Sequence, residues 1–99
     1  MSLHLRVSGA AQKDLERLFE FLAANDFSSA TRARDAIEKA YEFIELMPFA
    51  CRKADESNPF LRELVIPFGS AGYVALFEVE DDKTVTILAI RHQREEDFH

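Results

Sequence analysis

The last third of the chain contains three strand-like runs that are separated only by short, turn-like links. The runs cover residues 60–68, 72–79 and 84–91, and each is rich in aliphatic and aromatic side chains. A link of a few residues cannot carry the chain back along the sheet, so successive strands must be neighbours that run in opposite directions. This part of the sequence therefore predicts a three-stranded antiparallel meander.

A helical pattern occupies the first half of the chain. Apolar residues recur every three or four positions from residue 9 to about 25, and again over about 29–47. Ser8 is the predicted N-cap of the first helix, and Ser28 or Ser29 is that of the second. Only a short link separates the two helices, which predicts an antiparallel α-hairpin.

The remaining segments complete the predicted architecture. Residues 3–7 alternate apolar and polar side chains, as a short half-buried strand does. Pro48 ends the second helix, and residues 48–59 are predicted to form a loop. The predicted order is β-α-α-β-β-β, a single α+β domain over residues 1–99. In this domain the N-terminal strand joins the sheet, and both helices cover one face of it.

Composition and charge narrow the classes of function. The 99 residues carry a net charge of −6 and the pI is about 5.0, which weighs against binding nucleic acid through overall positive charge. The opening letters, MSLHLRVSG, lack the basic segment and apolar stretch of a secretory signal. No apolar run approaches the roughly 20 residues of a membrane span. We therefore expect a cytoplasmic protein that has no membrane partner.

The spacing of residues indicates no metal or cofactor site. The three histidines lie far apart in the sequence, and no HxxxH, CxxC or EF-hand motif occurs. With three glycines in all, neither a dinucleotide-binding loop nor a Walker loop can be built. Cys51 is the only cysteine, so no internal disulfide forms, and no evident base lies near it in the sequence. The expected protein holds no metal and no cofactor.

The residues best suited to chemistry stand where the last strand ends, in the letters RHQREE. Arg91, His92 and Arg94 follow the apolar run, and Arg62 stands near the start of an earlier strand. Arginine binds phosphate and histidine exchanges a proton near neutral pH, so Arg62, His92 and Arg94 are candidate catalytic residues for RNA cleavage without a metal. A structural role is the alternative, in which the arginines pair with nearby acidic residues and His92 closes the strand.

Several phrases of the sequence, taken in order, resemble one known family. They are ATRARDAIEKAYEFIELMP in the second helix, LRELVIP in the first meander strand, GYVALFEV in the next strand and the closing ILAIRHQRE. With the β-α-α-β-β-β order, they resemble the RelE/ParE superfamily of type II toxins, the toxin halves of toxin–antitoxin (plasmid stabilisation) modules. The resemblance covers nearly the whole chain and depends on the conjunction of these phrases rather than on any single motif.

The resemblance implies an antitoxin partner and one of two targets. RelE-like members cut messenger RNA on the ribosome without a metal, whereas ParE-like members inhibit DNA gyrase by protein contact. A cognate antitoxin neutralises both kinds. The family's strand-start arginine corresponds to Arg62, and its closing motif corresponds to residues 92–95. The residues expected to contact a partner are Arg62, Tyr73, Arg91, His92 and Arg94.

Departures from the family pattern favour the ParE-like branch. The family phrase YRvfY has Val74 in place of its arginine and Phe77 in place of its second tyrosine. Glu95 replaces the second arginine of the closing motif. Fewer cationic groups weaken docking on ribosomal RNA. The sequence therefore predicts a toxin that acts by binding protein. RNA cleavage on the ribosome and a non-toxic interaction relative are the alternatives.

Overall fold

A computed structural model describes residues 3–69 and 71–92 of the chain. The elements run in the order β-α-α-β-β-β-β, with a single 3₁₀ turn at Pro48–Ala50 before the second strand. Their bounds are β1 His4–Val7, α1 Gly9–Asn25, α2 Phe27–Leu46, β2 Arg52–Asp55, β3 Asn58–Phe68, β4 Ala71–Val79 and β5 Thr84–His92. The expected α+β class is confirmed, with one strand more than predicted.

The five strands form one mixed sheet in the order β1-β5-β4-β3-β2. The predicted meander is present, because β3, β4 and β5 pair with one another in antiparallel fashion. β1 joins the sheet beside β5 as a parallel pair, in which Leu5 stands opposite Val85. A parallel pair requires a long connection, and both helices and three strands supply it here.

The prediction of a loop over residues 48–59 is wrong, because this segment contains β2. β2 pairs in antiparallel fashion with the first part of β3, and the hairpin closes where Asp55 faces Asn58. The Asp55 carboxylate accepts hydrogen bonds from the backbone N–H and the hydroxyl of Ser57, which fixes the turn. Pro59 lies near the start of β3, where a missing N–H is tolerated.

The second helix begins two residues before its predicted start, and its N-cap is Asp26 rather than Ser28 or Ser29. The Asp26 carboxylate accepts hydrogen bonds from the Ser28 backbone N–H and from both serine hydroxyls. These bonds, with that of the Ser28 hydroxyl foremost, lower the pKa of Asp26. The charged carboxylate therefore lies at the positive end of the helix dipole, and the serines act as donors to the cap.

The hydrophobic core lies between the two helices and one face of the sheet. β4 and β5 contribute most of it, and Phe77 and Ile87 are fully buried directly opposite each other. The helices turn their predicted apolar stripes inward, with Ala11 of α1 and both Ile37 and Ile44 of α2 buried. Within the described residues no helix covers the opposite face of the sheet, and we call this face the open face.

The side chains of Ser8 and Asp14 form hydrogen bonds with the part of the β5 edge that has no neighbouring strand among the described residues. β1 covers only residues 84–87 of β5, and a bulge at Leu88 follows, where β4 and β5 shift register. Ser8, the confirmed N-cap of α1, donates its hydroxyl hydrogen to the Leu88 carbonyl at 3.2 Å. The Asp14 carboxylate accepts the backbone N–H of Ile90 at 3.0 Å. Asp14 thereby satisfies a donor that a neighbouring strand would otherwise pair.

Replacing Asp14 by alanine leaves the Ile90 N–H unpaired in a partly buried position. We expect Asp14→Ala to lower the free energy of unfolding by about 1–3 kcal/mol, measured by urea denaturation followed by circular dichroism. The matched control, Arg17→Ala, removes only the exposed ion pair that Arg17 makes with Asp14. Its expected effect is below about 0.5 kcal/mol. Equal losses in the two variants would contradict the role assigned to the Asp14–Ile90 hydrogen bond.

Candidate partner-binding site

An aromatic cluster lies at the end of the sheet where β5 ends. Tyr73 of β4 stands opposite His92 of β5, and their rings meet edge to face with centroids 5.5 Å apart. The Phe68 ring also contacts Tyr73, at a centroid distance of 5.8 Å. Tyr73 is only 5% exposed, and burial raises the pKa of its phenol. The fold thus holds two of the expected partner-binding residues in one packed cluster.

A groove opens between this cluster and α1, and we call it the helix-side groove. Its volume is about 820 Å³, and α1 contributes the apolar side chains of Leu18, Phe21 and Leu22 to its wall. Phe21 is 68% exposed, although burial of such a large apolar side chain is favourable. Charged residues of α1 and β5, among them Arg17 and Arg91, also line the groove. A concave apolar surface with a charged border is typical of a protein-binding site.

A second groove crosses the open face of the sheet, and we call it the open-face groove. Its volume is about 590 Å³. Among the described residues that line it, three are acidic and only Arg91 is basic. Val74, which stands where the family pattern has an arginine, is 3% exposed in its floor. The lining residues are Ala54, Asp55, Glu56, Leu61, Glu63, Val74, Leu76 and Arg91.

Arg62 lies apart from the aromatic cluster. In the sheet register it is four positions from the level of Tyr73, about 13 Å by the rise of a strand. Its guanidinium donates to the carbonyl oxygens of Pro59 at 2.7 Å and of Cys51 at 2.9 Å, and it lies over the Phe49 ring at 5.1 Å from the centroid. These contacts connect the 3₁₀ turn to β3, so Arg62 stabilises the junction between the two.

The predicted site residues therefore separate into three groups. Tyr73, Arg91 and His92 line the helix-side groove, whereas Arg62 does not. Arg94 lies outside the described residues. The expected catalytic grouping of Arg62 with His92 is not assembled by the sheet register. The partner-binding roles of these residues remain predictions.

The contribution of α1 to the groove was not predicted from the sequence. Asp14 lies between Ala11 and Leu18 at helical spacing, so it shares the inward stripe of α1. An acidic residue on an apolar stripe indicates a specific partner, which here is the Ile90 N–H. Phe21 stands three residues after Leu18, beside the stripe, and a large exposed apolar side chain there was the available signal.

The described part of the chain offers little for metal or thiol chemistry. Within residues 3–69 and 71–92, no three His, Cys, Asp or Glu side chains come together to hold a metal ion. Cys51 is buried, and burial raises the pKa of its thiol while Arg62 acts in the opposite direction. A buried thiol of raised pKa is poorly activated as a nucleophile. None of the described helices is both long enough and apolar enough to cross a membrane.

The described residues form a small α+β domain with a groove on each side of its sheet. A family model described as the ParE toxin of the type II toxin–antitoxin system parDE matches residues 5–97. The chain belongs to the ParE toxin family, and the expected resemblance is confirmed.

A solved structure from the chromosomal ParDE toxin–antitoxin system of P. aeruginosa has a similar fold, with a TM-score of 0.72. The two chains share 19% identity, and the similarity covers 92% of this chain and 96% of the other. A search of curated proteins gave no significant match. At this identity the structural likeness supports the fold, and the family rests on the match along the sequence.

The contacts of Arg62 lead to a prediction that distinguishes a structural role of this arginine from a catalytic role. Arg62→Lys keeps the charge but loses the planar fork that reaches two carbonyl groups, so we expect it to lower the free energy of unfolding by about 1–2 kcal/mol. The control Arg52→Lys changes an arginine whose side chain is 60% exposed and pairs with Glu63. Its expected effect is below about 0.5 kcal/mol. Unchanged stability of Arg62→Lys in urea denaturation would refute the structural role.

Proposed function

We propose that this ParE family chain acts as a toxin by binding a target protein, that DNA gyrase is the target, and that a cognate antitoxin neutralises it by covering the helix-side groove. The observation that carries the proposal is the open-face groove, whose floor is apolar and whose border is mainly acidic. Such a surface suits a protein partner better than a polyanion.

The arrangement of arginines gives little support to RNA cleavage. A metal-free ribonuclease needs cationic donors that converge on one phosphate, where charge develops in the transition state. Here Arg62 is engaged by backbone carbonyl groups and lies far along the sheet from His92. Val74 stands where the family pattern has an arginine, so of the described residues that line the open-face groove only Arg91 is basic. The net charge of −6 adds repulsion between the chain and ribosomal RNA.

The helix-side groove has the features of an antitoxin site. Phe21 and its apolar neighbours Leu18 and Leu22 form one wall, and the Tyr73–His92 cluster closes the other. An amphipathic helix laid along this groove would bury the exposed part of Phe21, and a segment that folds on binding suits such a shallow site. Arg17 and Arg91 favour acidic residues at the border of that segment.

The gyrase proposal predicts inhibition in a purified system. Relaxed plasmid, ATP and purified DNA gyrase are incubated with increasing toxin, and supercoiled product is measured on agarose gels. We expect loss of supercoiling at saturating toxin, since protein contact alone is required. Undiminished supercoiling, with the toxin shown to be folded by circular dichroism, would reject gyrase as the target. New transcript 5′ ends after induction of the toxin in cells would instead support the ribonuclease alternative.

The antitoxin proposal predicts that Phe21 contributes strongly to binding. A small gene next to the toxin gene is expected to encode the antitoxin, and binding of its product is measured by isothermal titration calorimetry. We expect Phe21→Ser to weaken binding by about 1–3 kcal/mol, because the partner would lose a large apolar contact. Phe43→Ser is the matched control, since Phe43 is 42% exposed on α2 and does not line the groove. Equal weakening by both variants would place the antitoxin elsewhere.

A further inference from the structure

Exposed apolar side chains are concentrated at one corner of the fold, where α2 ends and β3 begins. Seven large apolar side chains of the described residues are at least 42% exposed, and five of them lie between residues 43 and 60. Phe49 of the 3₁₀ turn and Phe60 of β3 meet edge to face with ring centroids 6.2 Å apart, and each is about half exposed. Neither ring lines one of the two grooves. The five side chains are Phe43, Leu46, Met47, Phe49 and Phe60.

The side of α2 that carries Phe43 faces away from α1. The guanidinium of Arg34 lies over the Phe19 ring of α1, 5.7 Å from the centroid, so the Arg34 side of α2 is the one that faces α1. Phe43 comes nine residues after Arg34, about two and a half helical turns, which places it on the opposite side. Met47 follows one turn later and shares that side. Because α2 packs on β3, this side of the helix borders the part of the sheet that carries Phe60.

Two cations project from the same side of the β2–β3 ladder. Arg62 lies over the Phe49 ring and alternates along β3 with Leu64, which packs against the core, so Arg62 is on the helix-facing side. Lys53 stands directly opposite Arg62 in the register and therefore shares that side. Within the described residues neither cation makes an ion pair. Like charges in opposite positions are unfavourable, and an anionic group placed beside them would relieve the repulsion.

The charged residues of α2 are divided by sign between two sides of the helix. The acidic residues recur at spacings of three, four and three, so they form one stripe. Arg32 and Lys39 are seven residues apart on a second line, which reaches Phe43 one turn later. Lys39 is exposed and makes no ion pair among the residues that the structure describes. The acidic stripe consists of Asp35, Glu38, Glu42 and Glu45.

These faces meet in one surface, which we call the α2 flank. Its described side chains are apolar or positively charged, although the chain as a whole carries −6. We propose that the α2 flank binds a short segment of a partner protein in which large apolar side chains stand next to acidic ones. The apolar side chains cover the phenylalanine rings, and the carboxylates approach the lysines. The flank consists of Lys39, Phe43, Met47, Phe49, Lys53 and Phe60.

The size and charge of the α2 flank favour such a segment over a second copy or a nucleic acid. Three phenylalanine rings that are each about half exposed leave roughly 300 Å² of apolar surface in water. A globular partner needs about 800 Å² on each side, and a two-fold dimer would also bring the cations of both flanks together. Binding of nucleic acid through charge requires several phosphate contacts, and two unpaired lysines on an acidic chain supply few.

Selection from a random peptide library tests the chemistry of the partner without assuming its sequence. Phage-displayed peptides of about 16 residues, long enough to form a helix, are first passed over the double variant Lys53→Glu/Phe60→Ser. This step removes peptides that bind elsewhere on the chain. The remaining phage are selected on the wild-type chain, and we expect the enriched peptides to combine Asp or Glu with Phe, Leu, Ile or Trp.

Single variants then locate the contact, with binding of the most enriched peptide measured by fluorescence anisotropy of a fluorescein label. We expect Lys53→Glu and Phe60→Ser each to weaken binding by at least about tenfold. Lys53→Glu places a carboxylate opposite Arg62, so a repulsive pair becomes attractive and the free energy of unfolding should not fall. Loss of binding in this variant therefore cannot come from unfolding. The controls are Lys13→Glu on α1 and Phe27→Ser, which alters a side chain that is 76% exposed, and both should bind as wild type does.

Several outcomes would overturn the proposal. They include the absence of any enriched peptide, enrichment of neutral or basic peptides, and equal binding by the wild type and both flank variants. A labelled oligothymidine that binds the wild type but not Lys53→Glu would assign the flank to nucleic acid, and a sedimentation-equilibrium dimer lost in Phe60→Ser would assign it to a second copy. The flank shares no residue with either groove, so these results do not bear on the gyrase and antitoxin proposals.

Discussion

The hydrogen bond from the Ile90 backbone N–H to the Asp14 carboxylate joins the first helix to the last strand, and the candidate site depends on it. β1 is four residues long, so on its side of β5 the second half of that strand has no strand neighbour among the described residues. Ser8 and Asp14 provide the missing partners, one at the bulge and one beyond it. Because β5 ends at His92, the same two contacts set the distance between α1 and the aromatic cluster. The width of the helix-side groove therefore depends on these two side-chain hydrogen bonds, which take the place of the backbone bonds that a longer β1 would make.

Periodicity predicted both helices and every strand except β2, because each of these elements buries a regular stripe or row of apolar side chains. β2 was not predicted because it is four residues long, mostly polar and flanked by prolines. What holds β2 in place is pairing with β3 and the Arg52–Glu63 ion pair, and neither contact is visible in the β2 sequence itself. Local sequence identifies an element that has its own hydrophobic pattern. An edge strand stabilised by its neighbour has no such pattern to find.

The role of Arg62 was equally hard to predict, because its contacts depend on a segment that has no hydrophobic pattern of its own. The residue type and its family position favoured a functional arginine, and a guanidinium fork binds a phosphate or two carbonyl groups by the same geometry. The acceptors here are backbone carbonyls of Cys51 and Pro59, brought to Arg62 by the hairpin that was predicted to be a loop. Because the β2–β3 hairpin was not predicted, these backbone acceptors could not be foreseen, and a catalytic or partner-binding role of Arg62 stays a prediction. Tyr73 and His92 stand opposite each other because the bulge at Leu88 shifts the register of β4 and β5 by one residue, and the strand-like runs alone did not predict this bulge.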